Sequence, residues 1–351
     1  MGRAVTAAAA ASWADVLSAL LRREDLDDET TASVMRRIME GEATPAQIAG
    51  FLMALRAKGE TAEEIAGLVR TMRAFALQVV VDGPVVDTCG TGGDRAGTFN
   101  VSTLAAIVAA GAGATVAKHG NRAASGRCGS ADLLEAWGVA IDLPPAGVAR
   151  CIAEVGIGFC FAPVFHPAMR HAMPARRELG VPTVFNFLGP LTNPAGARHQ
   201  TIGVSDATMA PRMAAVLARL DTAHALVFHG VDGLDELTTT APSKVWEIRG
   251  SEIEESVLDP ASLGLAPATI ADLRGGDVDD NRRIADAVLS GETGPPRDIT
   301  LLGAAAALVA ADAVADVAAG LELAATSIDS GAAAGVLQGW VTTSQGLRGA
   351  A

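Results

Sequence analysis

Basic residues are in short supply in this chain. Lys and Arg total 27 against 40 Asp and Glu, a formal net charge of −13 at pH 7. That balance argues against a protein that grips nucleic acid over its whole surface, which needs a continuous basic face. An anionic ligand would need a local basic patch instead. Cysteine is scarce too. Cys89, Cys128, Cys151 and Cys160 show no CxxC or metal-finger spacing, and reduced thiols in a cytoplasmic protein are expected. No apolar run reaches the length of a membrane span, and the Ala-rich start is not expected to act as a signal peptide. Aromatic residues make up only 4%. Ala and Gly take their place, which lets helices pack closely. At 351 residues the chain is long enough for a large core and two domains.

One stretch stands out. Val85-Val86-Asp87-Thr88-Cys89-Gly90-Thr91-Gly92-Gly93-Asp94, continuing to Asn100-Val101-Ser102-Thr103, reads as a short apolar strand, a glycine-rich loop and a helix start. Gly90, Gly92 and Gly93 can take positive φ and let another group come close to the backbone. A helix entered through Asn100, Ser102 and Thr103 is expected to offer unpaired N–H groups and the positive end of a dipole. Together these make an anion cradle, most often for phosphate. An ordinary tight turn is the plain alternative. The loop lacks a Walker lysine and is not G-x-G-x-x-G.

Residues 12 to about 76 read as helices only. Thr44-Pro45-Ala46-Gln47 is a capping box with Pro at the first helical position, followed by Ile48, Phe51, Leu52 and Leu55 on one face. Thr61-Ala62-Glu63-Glu64 repeats the device ahead of Ile65, Leu68, Val69 and Met72, with Gly59 between the helices. From about residue 82, strand candidates at 84–87, 114–117, 157–161, 201–204 and 224–228 alternate with helix candidates at 100–111, 130–137, 145–155 and 208–219. Such alternation implies parallel pairing with helices on both faces and ligands beyond the carboxyl ends of the strands. Three polar loops would then converge on one sheet edge. From about 278 onward the pattern is helical and Ala-rich.

Several segments carry chemistry. Lys118-His119-Gly120-Asn121-Arg122 offers a cation and several donors, suited to phosphate and a polar small molecule. Ser125, Gly126, Arg127, Gly129 and Ser130 extend that loop. Seven Lys and Arg against four acids between Lys118 and Arg177 supply the local basic patch. Asp232-Gly233-Leu234-Asp235-Glu236 follows a strand, and adjacent carboxylates beside a polyphosphate can hold Mg²⁺. His166 and His171 are five apart, not a helical zinc pair, and could equally cap helices or lie on a surface. Arg176 and Arg177 could clamp a carboxylate or be solvated. Phe185 to Pro194 has the Gly, Pro and Asn content of a rigid loop.

Asp87 to Asp94 with Asn100 to Thr103, Lys118 to Arg122, Phe185 to Pro194 and Asp235-Glu236 stand in the order and spacing of the anthranilate phosphoribosyltransferases. The chain resembles that family from about Thr44 to about Leu289. The resemblance implies an α/β protein: a small all-helical N-terminal domain, and a large α/β domain with a mainly parallel sheet flanked by helices. The helical domain would take residues 1–76, with 170–195 joining it in space. Residues 77–169 and 196–351 would form the α/β domain. The implied activity is transfer of 5-phosphoribosyl from phosphoribosyl pyrophosphate to the amine of anthranilate, in tryptophan biosynthesis.

The implied phosphoribosyl pyrophosphate contacts are Gly90, Gly93, Asp94, Thr98, Asn100, Val101, Ser102, Thr103, Lys118, His119, Gly120, Asn121, Arg122, Ser125, Gly126 and Ser130. Anthranilate contacts would be Gly90, Asn121 and Arg176. Ser102, Asp235 and Glu236 would hold Mg²⁺, with two ions expected, and the assembly would be a homodimer. No covalent nucleophile is implied. The chain departs from the family where hydroxyl residues give way to Ala123, Gly126 and Cys128, and Lys to Arg127. Backbone N–H contacts survive such changes, and hydroxyl contacts at 123 and 126 do not. The alternatives are a pyrimidine nucleoside phosphorylase, or a non-catalytic nucleic-acid-binding relative.

Overall fold

The computed structural model describes residues 11–123 and 127–349. The candidates Ser125 and Gly126 lie outside them. The chain divides into two compact units, one of residues through Phe75 with Pro167–Leu188, the other of Ala76–His166 with Gly189 onward.

The first unit opens with α1 (Trp13–Leu21), α2 (Asp28–Met39), α3 (Pro45–Lys58) and α4 (Ala62–Phe75). Local chemistry sets their ends. Thr44 Oγ1 accepts from Gln47 N–H at 3.3 Å, and Gln47 Oε1 accepts from Thr44 N–H at 2.9 Å. Glu64 and Thr61 repeat this exchange at the start of α4. Gly59 ends α3 at φ 91°, a value that favours glycine. The apolar faces expected from the spacing are buried, from Ile48 to Leu55 and from Ile65 to Met72. Trp13 packs edge-on to Phe51 with ring centroids 6.5 Å apart.

The second unit begins with β1 (Val86–Gly90), α5 (Val101–Gly111), β2 (Val116–Gly120), α6 (Ser130–Ala136), α7 (Pro145–Val155), β3 (Ile157–Phe161) and α8 (Ala162–Phe165). The chain then supplies the first unit with a 3-10 turn (Pro167–His171), α9 (Met173–Leu179) and α10 (Phe185–Leu188). It resumes the second unit with β4 (His199–Gly203), α11 (Ala210–Leu217), β5 (His224–Gly230), β6 (Ser243–Arg249) and β7 (Glu252–Leu258). Four helices close it: α12 (Val278–Leu289), α13 (Pro295–Ala310), α14 (Val317–Asp329) and α15 (Ala332–Arg348).

The sheet order is β3-β2-β1-β4-β5-β6-β7. The first five strands are parallel, and β5–β6 and β6–β7 are antiparallel. Strand order reverses between β1 and β4, the place where open α/β sheets leave a crevice. All seven residues of β5 are buried, so both of its faces are covered. Leu226 and Phe228 join Leu302, Ala306 and Val309 of α13 in one apolar cluster.

The strand candidates are found, with shifted bounds. β1 and β2 run on through Gly90 and Gly120, because ladder hydrogen bonding continues where hydropathy has stopped. The β6–β7 hairpin has no counterpart among the candidates. β7 is almost wholly exposed and acidic, so it lacks the apolar alternation that marks a strand.

Residues Gly189 to Ala195 lie against the sheet of the second unit. Asn193 Nδ2 donates to Ala117 O at 2.7 Å, and Gln200 Nε2 to Pro190 O at 2.8 Å. His119 Nδ1 is 3.1 Å from Gly189 O, and the rings of His119 and His166 lie 5.1 Å apart. Burial pushes His119 down to about 3, helped by His166, and burial pushes His166 down to about 4.

The unfolded chain therefore takes up protons below about 6.5 that the folded chain refuses, and stability falls as pH falls from 6.5 towards these values. His119→Asn keeps an amide donor near Gly189 O and removes the titration. Urea unfolding at several pH values should show a shallower loss on acidification in the variant than in the parent. Equal slopes would show that His119 does not carry this dependence.

Candidate active site

The carboxyl ends of β1 and β4 finish in register at Gly90 and Gly203. The loop after β5 lies over both. A side chain at Gly90 would collide with the Asp235 carboxylate, and one at Gly203 with the Asp235 carbonyl. Gly92 N–H donates to Asp235 Oδ2 at 2.6 Å, and Gly92 and Gly93 have φ of 68° and 86°. Thr91 N–H donates to Gly203 O, while Ser205 Oγ donates to Gly92 O at 2.7 Å. The glycine loop is thus pinned by residues from the ends of two other strands.

Asp235 is buried here and Glu236 is half-buried. Burial, and then the neighbouring Asp94, raise Asp235 to about 7. Burial, and then Asp235, raise Glu236 well above the usual carboxylate range, with Lys118 and the Ser102 N–H opposing. Asp94 Oδ1 accepts from Ala96 N–H at 3.1 Å. Among the described residues no three or more His, Cys, Asp or Glu are grouped to hold a metal ion by themselves.

Lys118 reaches under the loop from β2 and is 1% exposed. Its Nζ donates to Thr88 O at 2.6 Å and lies 3.4 Å from Ser102 Oγ. Thr88 Oγ1 donates to Ser102 O at 3.0 Å. Burial lowers the Lys118 pKa, against the pull of Cys89, Asp87 and Glu236. The lysine fastens the end of β1 to the start of α5.

The helix start differs from expectation. Val101 N–H bonds to Phe99 O, Thr103 N–H bonds to Asn100 O, and Ser102 N–H faces Glu236. These amides are partnered, because a buried carboxylate needs a donor as much as the helix end needs an acceptor. Asn100 does not cap its own helix. Its Nδ2 donates to Cys128 O at 3.1 Å, and its Oδ1 accepts from Cys128 Sγ at 3.2 Å. Thr98 forms an isolated bridge with Arg274.

On the second loop, Gly120 ends β2 and Asn121 O accepts from Ser130 Oγ at 3.1 Å. Two candidates are not free phosphate cations. The Arg122 guanidinium is held by Asp132 at 2.8 Å and Glu135 at 2.9 Å, acids one helical turn apart on α6. His119 is neutral in its buried position. Arg176, on α9, is half-buried with its guanidinium 5.2 Å above the Phe185 ring, and burial lowers its pKa. Arg177 is exposed. His166 belongs to the second unit and His171 to the first, against Gly41.

Gly203 and Ser205 were not among the sequence candidates, Thr88 was named only within the glycine stretch, and the pairing of Asn100 with Cys128 was not expected.

Family comparison agrees with this architecture. The α/β domain of a glycosyl transferase family matches residues 82–334, and its helical bundle domain matches 14–76. Anthranilate phosphoribosyltransferase from Chloroflexus aggregans is 56% identical over 95% of this chain and 98% of its own length. The crystal structure of the Thermus thermophilus enzyme superposes with a TM-score of 0.90 at 45% identity, covering 94% of this chain and 99% of that one. The Saccharomyces cerevisiae enzyme, in complex with phosphoribosyl pyrophosphate and Mg, gives a TM-score of 0.87 at 28% identity over 95% and 98%. With both domains matched and more than half the residues identical to such a relative over nearly its whole length, the chain belongs to the anthranilate phosphoribosyltransferase family.

Proposed function

We propose that this protein transfers the 5-phosphoribosyl group of phosphoribosyl pyrophosphate to the amine of anthranilate, giving N-(5-phosphoribosyl)anthranilate and diphosphate. The observation that carries the reading is the glycine loop after β1 held against buried Asp235, with half-buried Glu236 beside it, at the sheet's switch point. The aromatic amine is neutral and has its lone pair available at pH 7, so no strong general base is needed. The difficult event is departure of diphosphate from C1 of the ribose. Catalysis is then electrostatic and positional.

The donor set fits Mg²⁺. It is all oxygen: two adjacent carboxylates and the Ser102 hydroxyl. Magnesium commonly takes only one or two protein carboxylates and completes its shell with phosphate and water. The carboxylates are also pushed towards protonation when no cation neutralises them. When bound, Mg²⁺ would neutralise charge on the diphosphate. The proposed stoichiometry is two ions, from the family resemblance.

Gly90, Gly93, Asp94, Thr98, Asn100 to Thr103 and Lys118 are assigned to phosphoribosyl pyrophosphate, and Gly90, Asn121 and Arg176 to anthranilate. Arg176 supports its part by chemistry: a half-buried guanidinium over an aromatic ring, with no carboxylate paired to it among the described residues. No helix among the described residues is long and apolar enough to cross a membrane. A cytoplasmic homodimer is the proposed setting, and the four free thiols suit a reducing compartment.

Loss of anthranilate fluorescence should require both phosphoribosyl pyrophosphate and Mg²⁺. Phosphorolysis of thymidine without anthranilate turnover would overturn the assignment.

Replacing Asp235 by Asn and Glu236 by Gln together should cut turnover sharply and raise the Mg²⁺ requirement. Thermal stability should hold, since two desolvated charges are removed and the Gly92 and Ser102 amides keep acceptors. Unchanged Mg²⁺ dependence would show that these carboxylates do not hold the ion.

Arg176→Ala should raise the KM for anthranilate far more than that for phosphoribosyl pyrophosphate, by roughly ten- to a hundredfold for a charge-assisted pair. Exposed Arg177, changed to Ala, should do little. Like behaviour of the two variants would sink the assignment.

A further inference from the structure

The arm bearing Thr98 and Asn100 is not held by the sheet alone. Phe99 N–H donates to Leu273 O at 3.0 Å, and Gly275 N–H donates to Gly97 O at 2.9 Å. Thr98 pairs with Arg274 between them. Phe99 and Leu273 are both buried, which anchors this short antiparallel contact in the core. The contact is close: a Cβ added at Gly275 would stand 2.9 Å from Phe99 Cα. Residues 273–275 therefore act as a strap along one side of the arm. The Asn100–Cys128 bonds hold the other side.

The strap has its own support. Asn281, on the first turns of α12, is 2% exposed. Its Nδ2 donates to Gly276 O at 3.0 Å and to Asp277 O at 2.8 Å. Those two carbonyls shape the turn from the strap into α12. Asp277 caps the same helix by accepting from Asp280 N–H at 3.1 Å. Removing the amide would take the donor from Gly276 O, leave Asp277 O with only the helical N–H of Asn281, and free the turn to move, and with it Gly275 and Phe99.

We infer that Asn281 is a positioning residue for phosphoribosyl pyrophosphate binding, acting through the 273–275 strap on the arm that carries Thr98 and Asn100. It touches no substrate. The inference rests on the reading of that arm as the phosphoribosyl pyrophosphate site.

The test uses the full chain with Asn281→Leu, which removes the donor at similar size, and Asn281→Ser. A helical Ser hydroxyl can donate to the carbonyl four residues back, here that of Asp277, and so restores one bond. Asn281→Leu should raise the KM for phosphoribosyl pyrophosphate about tenfold, the order expected from two lost hydrogen bonds. The KM for anthranilate and kcat should change little. Asn281→Ser should fall between. Amide exchange should quicken at residues 97–103 while the first unit is unchanged.

A calorimetric titration with phosphoribosyl pyrophosphate alone separates the two readings. Parent binding without anthranilate turnover would defeat the proposed function and still leave the variants' affinities to be compared. An unchanged affinity in folded Asn281→Leu overturns the inference, as does equal loss in the Leu and Ser variants or a fall in kcat alone. If the Leu variant does not fold, unchanged affinity and exchange in the Ser variant overturn it.

Discussion

A loop carrying two adjacent carboxylates lies directly on the glycine ends of two parallel strands. That close approach is the constraint on which the site depends. Gly90 and Gly203 sit side by side in the ladder, and neither has room for a side chain beneath Asp235. The contact brings together a loop at 91–94, a strand end at 203–205 and a turn at 232–236. It also buries charge. Burying a carboxylate without a counterion is costly, and the protein meets the cost with the amides of Gly92 and Ser102 and with Lys118 below. What remains unbalanced appears as carboxyl groups pushed towards protonation.

The same arrangement explains the unusual lysine. A buried ammonium is unfavourable alone. Lys118 offsets this by donating to Thr88 O and by lying near Asp87 and Glu236. It thereby couples β2, the end of β1 and the first turn of α5. One cation adds to the ladder of β1 and β2 and to the Thr88–Ser102 bond, and ties the three elements together. Such fixing matters for chemistry that relies on preorganised charge rather than on a nucleophile.

The local signals in the sequence were strong and proved reliable for helices. Two capping boxes, a helix at 145–155 and the buried faces of α3 and α4 all follow from patterns a few residues long. Strand bounds were less legible, because the carboxyl ends of β1 and β2 are polar or glycine. Their place in the sheet is decided by backbone hydrogen bonds and not by hydropathy. The edge strand β7 was invisible for a related reason: an exposed edge strand has no face to bury.

The sequence by itself named the groups proposed for the site: the glycines, the hydroxyls after Asn100, Lys118, and the Asp235-Glu236 pair. Short motifs carry residue type and local conformation, and that suffices to name a chemistry. Tertiary structure decided which of those groups meet and in what state. The bond from Gly92 to Asp235 joins residues 143 apart. Arg122 pairs with Asp132 and Glu135, and His119 became neutral by burial. Pairing across such distances depends on sheet order and packing, and a residue's charge state depends on how much water the fold leaves around it. Neither quantity exists until the chain has folded.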